Sequence, residues 1–235
     1  MIQNHPNQDV NLPFHNAIYG GKPLVAISLL KQSKSIDINS HGVFTGTALH
    51  WIASQAGSRP SEDDKSKGIK SLIPQMVELG ADPNSTSSIG TTPLHWAVVW
   101  NNFEAVEELV KYDIDVNAKD IDGITPLHLC MMGYAFELTL TTRFTSNAEF
   151  YVELLKCKKN VIPHLEDAPC KSAEVLLKHG AEINPIDSFN LTPLDWVYKL
   201  YERPSKKYKN ALRILISCLE SHGGKTFEDL QHHSL

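Results

Sequence analysis

The sequence lacks the features that mark nucleic-acid-binding and membrane proteins. Its 22 Lys and Arg are outnumbered by 27 Asp and Glu, which gives a formal net charge of −5. Proteins that bind a phosphate backbone normally carry a basic face, so this balance argues against a nucleic-acid partner. No apolar run is long enough to cross a bilayer, and the first residues lack the charged-then-apolar layout of a secretory signal. We therefore expect no nucleic acid and no membrane among the partners, and a cytoplasmic location.

Cysteine and catalytic motifs are also scarce. The chain has four cysteines, Cys130, Cys157, Cys170 and Cys218. They show no Cys-x-x-Cys spacing, which indicates free thiols in a reducing compartment. The set Cys157, His164, Cys170 and His179 has spacings of 7, 6 and 9 residues, which match no common structural zinc pattern. There is no glycine-rich phosphate loop, no HExxH and no GxSxG. We expect no catalytic residue, no metal site and no cofactor.

What the chain does contain is a repeated phrase. Residues 90–97 read Gly-Thr-Thr-Pro-Leu-His-Trp-Ala, and Thr125 opens a close copy 33 residues after Thr92. Weaker copies open at Leu12, Thr47 and Thr192. In each clean copy the Thr can cap the start of a helix, and Pro suits the first helical position. A fixed period of this size is typical of a stacked-repeat protein.

A second phrase ends the units. It reads Gly-Ala-Asp-Pro-Asn at 80–84 and Gly-Ala-Glu-Ile-Asn at 180–184, with a variant at 113–117 and a fainter one at 35–39. The two phrases keep a constant order along the chain, which makes the pattern far more specific than either phrase alone.

These residues resemble the ankyrin repeat, over roughly residues 11–220. The resemblance implies an all-α solenoid of five to six helix pairs joined by short β-hairpin-like turns. We expect a flexible N-terminus at 1–10, the repeat domain at 11–224 and a C-terminal tail at 225–235. It also implies binding rather than chemistry, although a fold by itself does not select a function.

The second unit is longer than the regular third one. Leu49 and Met76 are 27 residues apart, whereas the matching Leu94 and Leu109 are 15 apart. The difference predicts a 12-residue insertion at about 57–68, where a polar run with Gly and Pro is typical of a surface loop.

The region after Thr125 allows two interpretations. Thr192 follows Thr125 by 67 residues, almost two periods. The favoured interpretation is six units, of which the fifth is truncated. The alternative is five units with one long helical insertion at 134–169.

Two kinds of polar residue recur at fixed places in the units. In the ankyrin family the His of the first phrase bonds backbone between adjacent turns, so His50, His95 and His128 are expected to be structural rather than metal ligands. Asn117 and Asn184 resemble ankyrin asparagines that asparaginyl hydroxylases of eukaryotes modify. The same Asn also has a structural role in the turn.

The resemblance places partner-binding positions just before the Thr-Pro and just after the first helix. Carried over to this chain, the candidates are Phe44, Gln55, Ile89, Thr91, Val99, Trp100, Ile121, Asp122, Ile124, Met132, Phe189 and Lys199. Several turn tips among them are apolar, and an exposed apolar strip usually marks a partner site, with Trp favoured as an anchor. The alternative is that each tip packs against the next turn and extends the core.

These observations predict a monomer that binds another protein through the concave face of the stack. The alternatives are an enzyme or metal-binding protein with a site in the irregular 134–170 region, and a structural homo-oligomer. Ankyrin chains occur in eukaryotic cells and among effectors of intracellular bacteria and large viruses. The Lys-, Asn- and Ser-rich composition favours the latter sources. An effector would be secreted into a host-cell cytosol and would bind a host protein.

Overall fold

A computed structural model describes residues 11–20, 22–42, 46–54, 69–134, 168–201 and 209–232. The regular elements in these ranges are helices, and no strand occurs among them. They are α1 (Leu12–Tyr19), α2 (Pro23–Gln32), α3 (Ala48–Ala53), α4 (Ile69–Glu78), α5 (Pro93–Val99), α6 (Phe103–Leu109), a 3₁₀ helix (Pro126–Tyr134), α7 (Ala168–Lys178), α8 (Pro193–Tyr201), α9 (Lys209–Ser221) and α10 (Phe227–His232). Within this part of the chain no helix has the length and hydropathy of a membrane span. The all-α fold is the expected one.

The helices stack in two layers. Within the described ranges five pairs form, namely α1 with α2, α3 with α4, α5 with α6, the 3₁₀ helix with α7, and α8 with α9. The first helices contact one another in the order α1, α3, α5, 3₁₀ helix, α8. The second helices contact one another in the order α4, α6, α7, α9. Successive helix pairs therefore pack directly on one another along the stack.

The core lies between the two layers and is densest around α5. Every residue of α5 is buried, including Leu94 and Trp96. A buried apolar side chain of this size contributes about 1.5–3 kcal/mol relative to an exposed one, so α5 owes its stability to packing rather than to its seven residues of helix. Asn102 ties the pair to the unit before it, because its Nδ2 donates to the Ala53 carbonyl at 2.8 Å.

The order of the units across residues 135–167 follows from hydrogen bonds. Asn117 Nδ2 donates to the Gly180 carbonyl at 3.0 Å, and the Glu182 N–H donates to Asn117 Oδ1 at 2.7 Å. The turn that ends the third unit therefore lies directly against the turn that follows α7. Among the described residues, the pair formed by the 3₁₀ helix and α7 therefore comes directly after the third unit. Residues 55–68 and 135–167, which hold the first predicted insertion and most of the second, lie outside the described residues. The number of helix pairs in the whole chain, and with it the choice between five and six units, stays a prediction.

The stack continues past residue 224. Thr226 N–H and Asp229 Oδ2 are 3.2 Å apart, the same local pairing that Thr192 and Asp195 make at 2.9 Å. Lys225 N–H donates to Asn184 Oδ1 at 2.7 Å, so α10 occupies the place of the next first helix. The predicted tail thus contains, up to His232, the beginning of a further unit. The sequence does carry a signal for this unit, because Thr226-x-x-Asp229 has the same spacing as Thr192-x-x-Asp195.

Candidate functional site

A row of buried histidines links each unit to the next. His95 Nδ1 accepts from the Thr92 N–H at 3.1 Å, so the ring carries its proton on Nε2, which donates to the Ile124 carbonyl at 3.1 Å. His50 and His128 repeat this arrangement and donate to the Thr91 and Leu191 carbonyls. The predicted structural role of the three histidines is confirmed.

Burial holds these rings neutral. Desolvation lowers the pKa of His50 from 6.5 to about 3, and it lowers the pKa of His95 and of His128 to about 4. Protonation would also place a proton on Nδ1, which is occupied as an acceptor. The histidine row is therefore part of the scaffold, with both ring nitrogens already used.

A row of asparagines runs parallel to it along the turns that follow the second helices. Each asparagine of this row makes the same two bonds to the next unit. Its Nδ2 donates to a backbone carbonyl there, and its Oδ1 accepts from the backbone N–H two residues after that carbonyl. The four asparagines are Asn39, Asn84, Asn117 and Asn184. The amide of each side chain is thus paired on both sides, which accounts for Asn in the second phrase.

The hairpin tips lie side by side. The Ile121 N–H donates to the Ile89 carbonyl at 3.1 Å, and the Ser188 N–H donates to the Asp122 carbonyl at 2.8 Å. Gly90 permits the first approach, since its φ is +77° and a Cβ there would lie 3.2 Å from the Asp120 Cα. Three consecutive tips are therefore in register.

Each tip is also braced internally. Asp120 Oδ1 accepts from the N–H groups of Asp122 and Ile124, each at 2.9 Å. Asp187 Oδ1 accepts in the same way from Phe189 and Leu191, each at 2.9 Å. A carboxylate that accepts two backbone N–H bonds holds the turn in one shape, so these tips are pre-formed.

We define the tip surface as Ile89, Ile121, Asp122 and Phe189. Ile121 is 62% exposed and Phe189 is 41% exposed, whereas Ile89 and Asp122 are half-buried. All four are predicted partner-binding residues, and the tip-to-tip bonds bring them together. Trp100, at the end of α5, is half-buried and packs against the core, and Lys199 is exposed on α8.

Three other predicted binding residues lie inside the stack. Thr91, Val99 and Ile124 are each 0% exposed. Thr91 Oγ1 accepts from the Trp96 indole N–H at 3.0 Å, and it lies 2.6 Å from Ser87 Oγ. A partner would not contact these side chains, because each is fully buried. Phe44 and Gln55 lie outside the described residues, as does the side chain of Met132.

A cluster that the sequence analysis did not find lies between α7 and α9. Cys170 Sγ, Cys218 Sγ and a carboxylate oxygen of Glu174 are all within 4.8 Å of one another. Burial, followed by the neighbouring Cys218 and Glu174, raises the pKa of Cys170, and burial raises the pKa of Cys218. Of the other residues that were compared with zinc patterns, His179 is exposed and bonds the Val175 carbonyl, while Cys157 and His164 lie outside the described residues.

Stacked helix pairs, tied to one another by a histidine row, an asparagine row and hairpin tips, define the class of protein as a helical-repeat solenoid. Residues 61–140 match the family model for ankyrin repeats, in three copies. This part of the chain carries ankyrin repeats, and inter-unit bonds of the same kind extend beyond the matched residues to Asn184 and Asp195. Ankyrin repeats are generally modules of protein–protein interaction and are typically not enzymes. A search of the curated proteins found no match.

Proposed function

We propose that this chain binds a partner protein through the tip surface. The observation that carries the proposal is the exposure of Ile121, 62% at the middle of a row of hydrogen-bonded tips. A single exposed isoleucine needs no explanation, but Phe189 lies on the adjoining tip and is exposed as well. Contiguous apolar side chains open to water are typical of a protein interaction site.

The braced backbone favours binding by a rigid surface. Asp120 and Asp187 hold their turns through backbone N–H bonds, and the tips bond one another. The tips are therefore already ordered before a partner binds. Little conformational entropy has to be lost on association, which favours tighter binding for the same contacts. In a stack of this kind the tips and the first helices share the concave face, which places Trp100 and Lys199 as flanking contacts.

The chemistry of the surface defines the partner. Ile121 and Phe189 require apolar side chains on the other protein. Residues at the rim of such a contact govern rate and specificity more than affinity. A host-cell protein, bound by the chain as a secreted effector, stays a prediction from composition.

The test uses the full chain as bait for lysate proteins, followed by titration of the captured protein against purified variants. Ile121→Asp places a charge in the centre of the surface and is expected to weaken binding at least about 30-fold, the loss typical of an interface hot spot. Isothermal titration calorimetry gives the dissociation constant, and circular dichroism checks the fold.

Val25→Asp is the matched control. Val25 is 49% exposed on α2, a second helix outside the tip surface, and the substitution introduces the same charge. It should leave binding unchanged. Equal binding by wild type and Ile121→Asp, or equal loss in both variants, would overturn the proposal.

A further inference from the structure

The groove between α7 and α9 lies apart from the tip surface and has a different chemistry. Its volume is about 400 Å³, and its polar lining includes Cys170, Glu174, Arg213, Cys218 and His222. The two helices belong to neighbouring units, the fourth and the fifth, and they pack directly on each other. The groove is therefore formed only when these units stack.

Each helix contributes residues one turn apart. Cys170 and Glu174 are four positions apart on α7 and share one helix face, while Cys218 lies in the last turn of α9 and His222 directly follows that helix. The Cys170 thiol donates to Glu174 Oε1 at 3.4 Å. Both sulfur atoms and a Glu174 oxygen lie within 4.8 Å of one another, close enough for all three to reach a common ion.

We propose that this cluster is a Zn²⁺ site with Cys170, Cys218 and Glu174 as ligands and His222 as the fourth. Thiolate, imidazole and carboxylate are the ligands that zinc uses in proteins, usually four in tetrahedral geometry. Soft thiolate ligands select zinc over magnesium or calcium. The three clustered ligand atoms need only small side-chain movements to close on one ion.

His222 lines the same groove, but its ring nitrogens are not among the clustered atoms, so the ring must move to reach a bound ion. Its Nδ1 lies 2.8 Å from the Cys218 carbonyl, which it bonds as a donor when that nitrogen carries the proton. The Nε2 atom is then the ligating nitrogen. Zinc-binding histidines characteristically donate their other ring N–H to a carbonyl or carboxylate.

The charges and protons balance. Binding forms two Zn–S bonds and breaks two S–H bonds, and both protons pass to solvent. The resulting two thiolates and the Glu174 carboxylate carry three negative charges against two positive charges on the metal. Arg213, which lines the same groove, can offset the remaining one. Zinc would thereby cross-link the second helices of the fourth and fifth units.

The experiment titrates ZnCl₂ into the full chain, kept reduced with a phosphine, in competition with a chromogenic chelator. We expect one equivalent of tight binding. CoCl₂ in place of zinc should give the intense near-ultraviolet absorption of cobalt–thiolate bonds and the visible bands of a tetrahedral site. Cys170→Ser and Cys218→Ser should each weaken zinc binding at least about 100-fold, because a thiolate ligand is lost. Glu174→Gln should weaken it about 10-fold.

Cys130→Ala is the matched control. Cys130 is a buried thiol of the 3₁₀ helix whose Sγ is not among the clustered atoms, so zinc binding should be unchanged. The proposal is overturned if the reduced chain binds no stoichiometric zinc, or if Cys170→Ser binds it as tightly as wild type. It is also overturned if oxidation joins Cys170 to Cys218 while the reduced chain ignores zinc, which would make the pair a disulfide site. Loss of zinc binding would leave the tip-surface titration unaffected, so the two proposals fail independently.

Discussion

The middle and the end of the stack fill the same position with different side chains. The third residue of the first helix is His50, His95 or His128 in the second to fourth units, and Asp195 in the fifth. Locally the two residue types do the same thing. His95 accepts from the Thr92 N–H at 3.1 Å, and Asp195 accepts from the Thr192 N–H at 2.9 Å.

Between units their roles are opposite. His95 donates through Nε2 to the Ile124 carbonyl of the next unit. Asp195 has no donor, and its Oδ2 accepts from the Phe227 N–H of the next unit at 2.8 Å. The carbonyl that a histidine would use there, that of Lys225, accepts instead from the Thr192 hydroxyl at 2.7 Å. The local cap and the link between units are therefore separable. The side chain can donate to the next unit, as His95 does, or accept from it, as Asp195 does.

The largest expected effect is a loss of free energy of unfolding in mild acid, caused by the three buried histidines. The three histidines have folded-state pKa values of about 3 to 4, below the ordinary 6.5, because they are buried. Their contribution is fully present above pH 6.5 and is lost as pH falls toward 4, because the unfolded chain takes up the protons. At pH 5 each histidine should cost about 2 kcal/mol, or about 6 kcal/mol in all.

Urea unfolding at pH 7.5, 6 and 5 measures this effect. Replacing His95 with Gln should remove about a third of the pH dependence, because the other two rings remain. A free energy of unfolding that changes by less than about 2 kcal/mol between pH 7.5 and 5 would contradict the neutral, buried state of the rings.

The second prediction concerns one histidine. His95→Ala should lower the free energy of unfolding by about 3–4 kcal/mol, because it leaves the Thr92 N–H and the Ile124 carbonyl without their partner and opens a cavity at a fully buried position. Urea denaturation at pH 7.5 gives the value. A cost under about 1 kcal/mol would mean that the link across units contributes little.

The third prediction compares two aspartates. Asp195 both caps its own helix and accepts a bond from the next unit, whereas Asp229 caps its own helix. Asp195→Ala removes both and should cost about 1–2 kcal/mol, because this carboxylate is only partly buried. Asp229→Ala should cost about 0.5–1 kcal/mol, because Asp229 is exposed and caps α10 through its bonds with Thr226. Thermal unfolding of the two variants gives the difference, which estimates the bond from Phe227. Equal costs would show that this bond does not stabilise the stack.

Residues whose role is repeated were predicted well. The three histidines and the all-α stack follow from short motifs, since a Thr and a His three residues apart can close a helix cap in any unit. Exposure was predicted less well. Ile121 and Ile124 are both apolar and belong to one turn, yet the first is exposed and the second is buried beneath the next unit. Sequence distance from the Thr-Pro does not tell which face of the turn a side chain takes.

The sequence alone was enough to predict the regular units, their helix caps and the positions of the repeated histidines and asparagines, because these follow from contacts between residues a few positions apart or from a recurring phrase. Only the tertiary structure decided which units are neighbours. Asn117 donates to the Gly180 carbonyl across 63 residues of chain, which brings the third unit against the fourth, and Asn184 donates to the Gly223 carbonyl, which brings the fourth unit against the fifth. The placement of Cys170 beside Cys218 and the register of the tips follow from that packing, since they depend on the path of the chain rather than on local spacing.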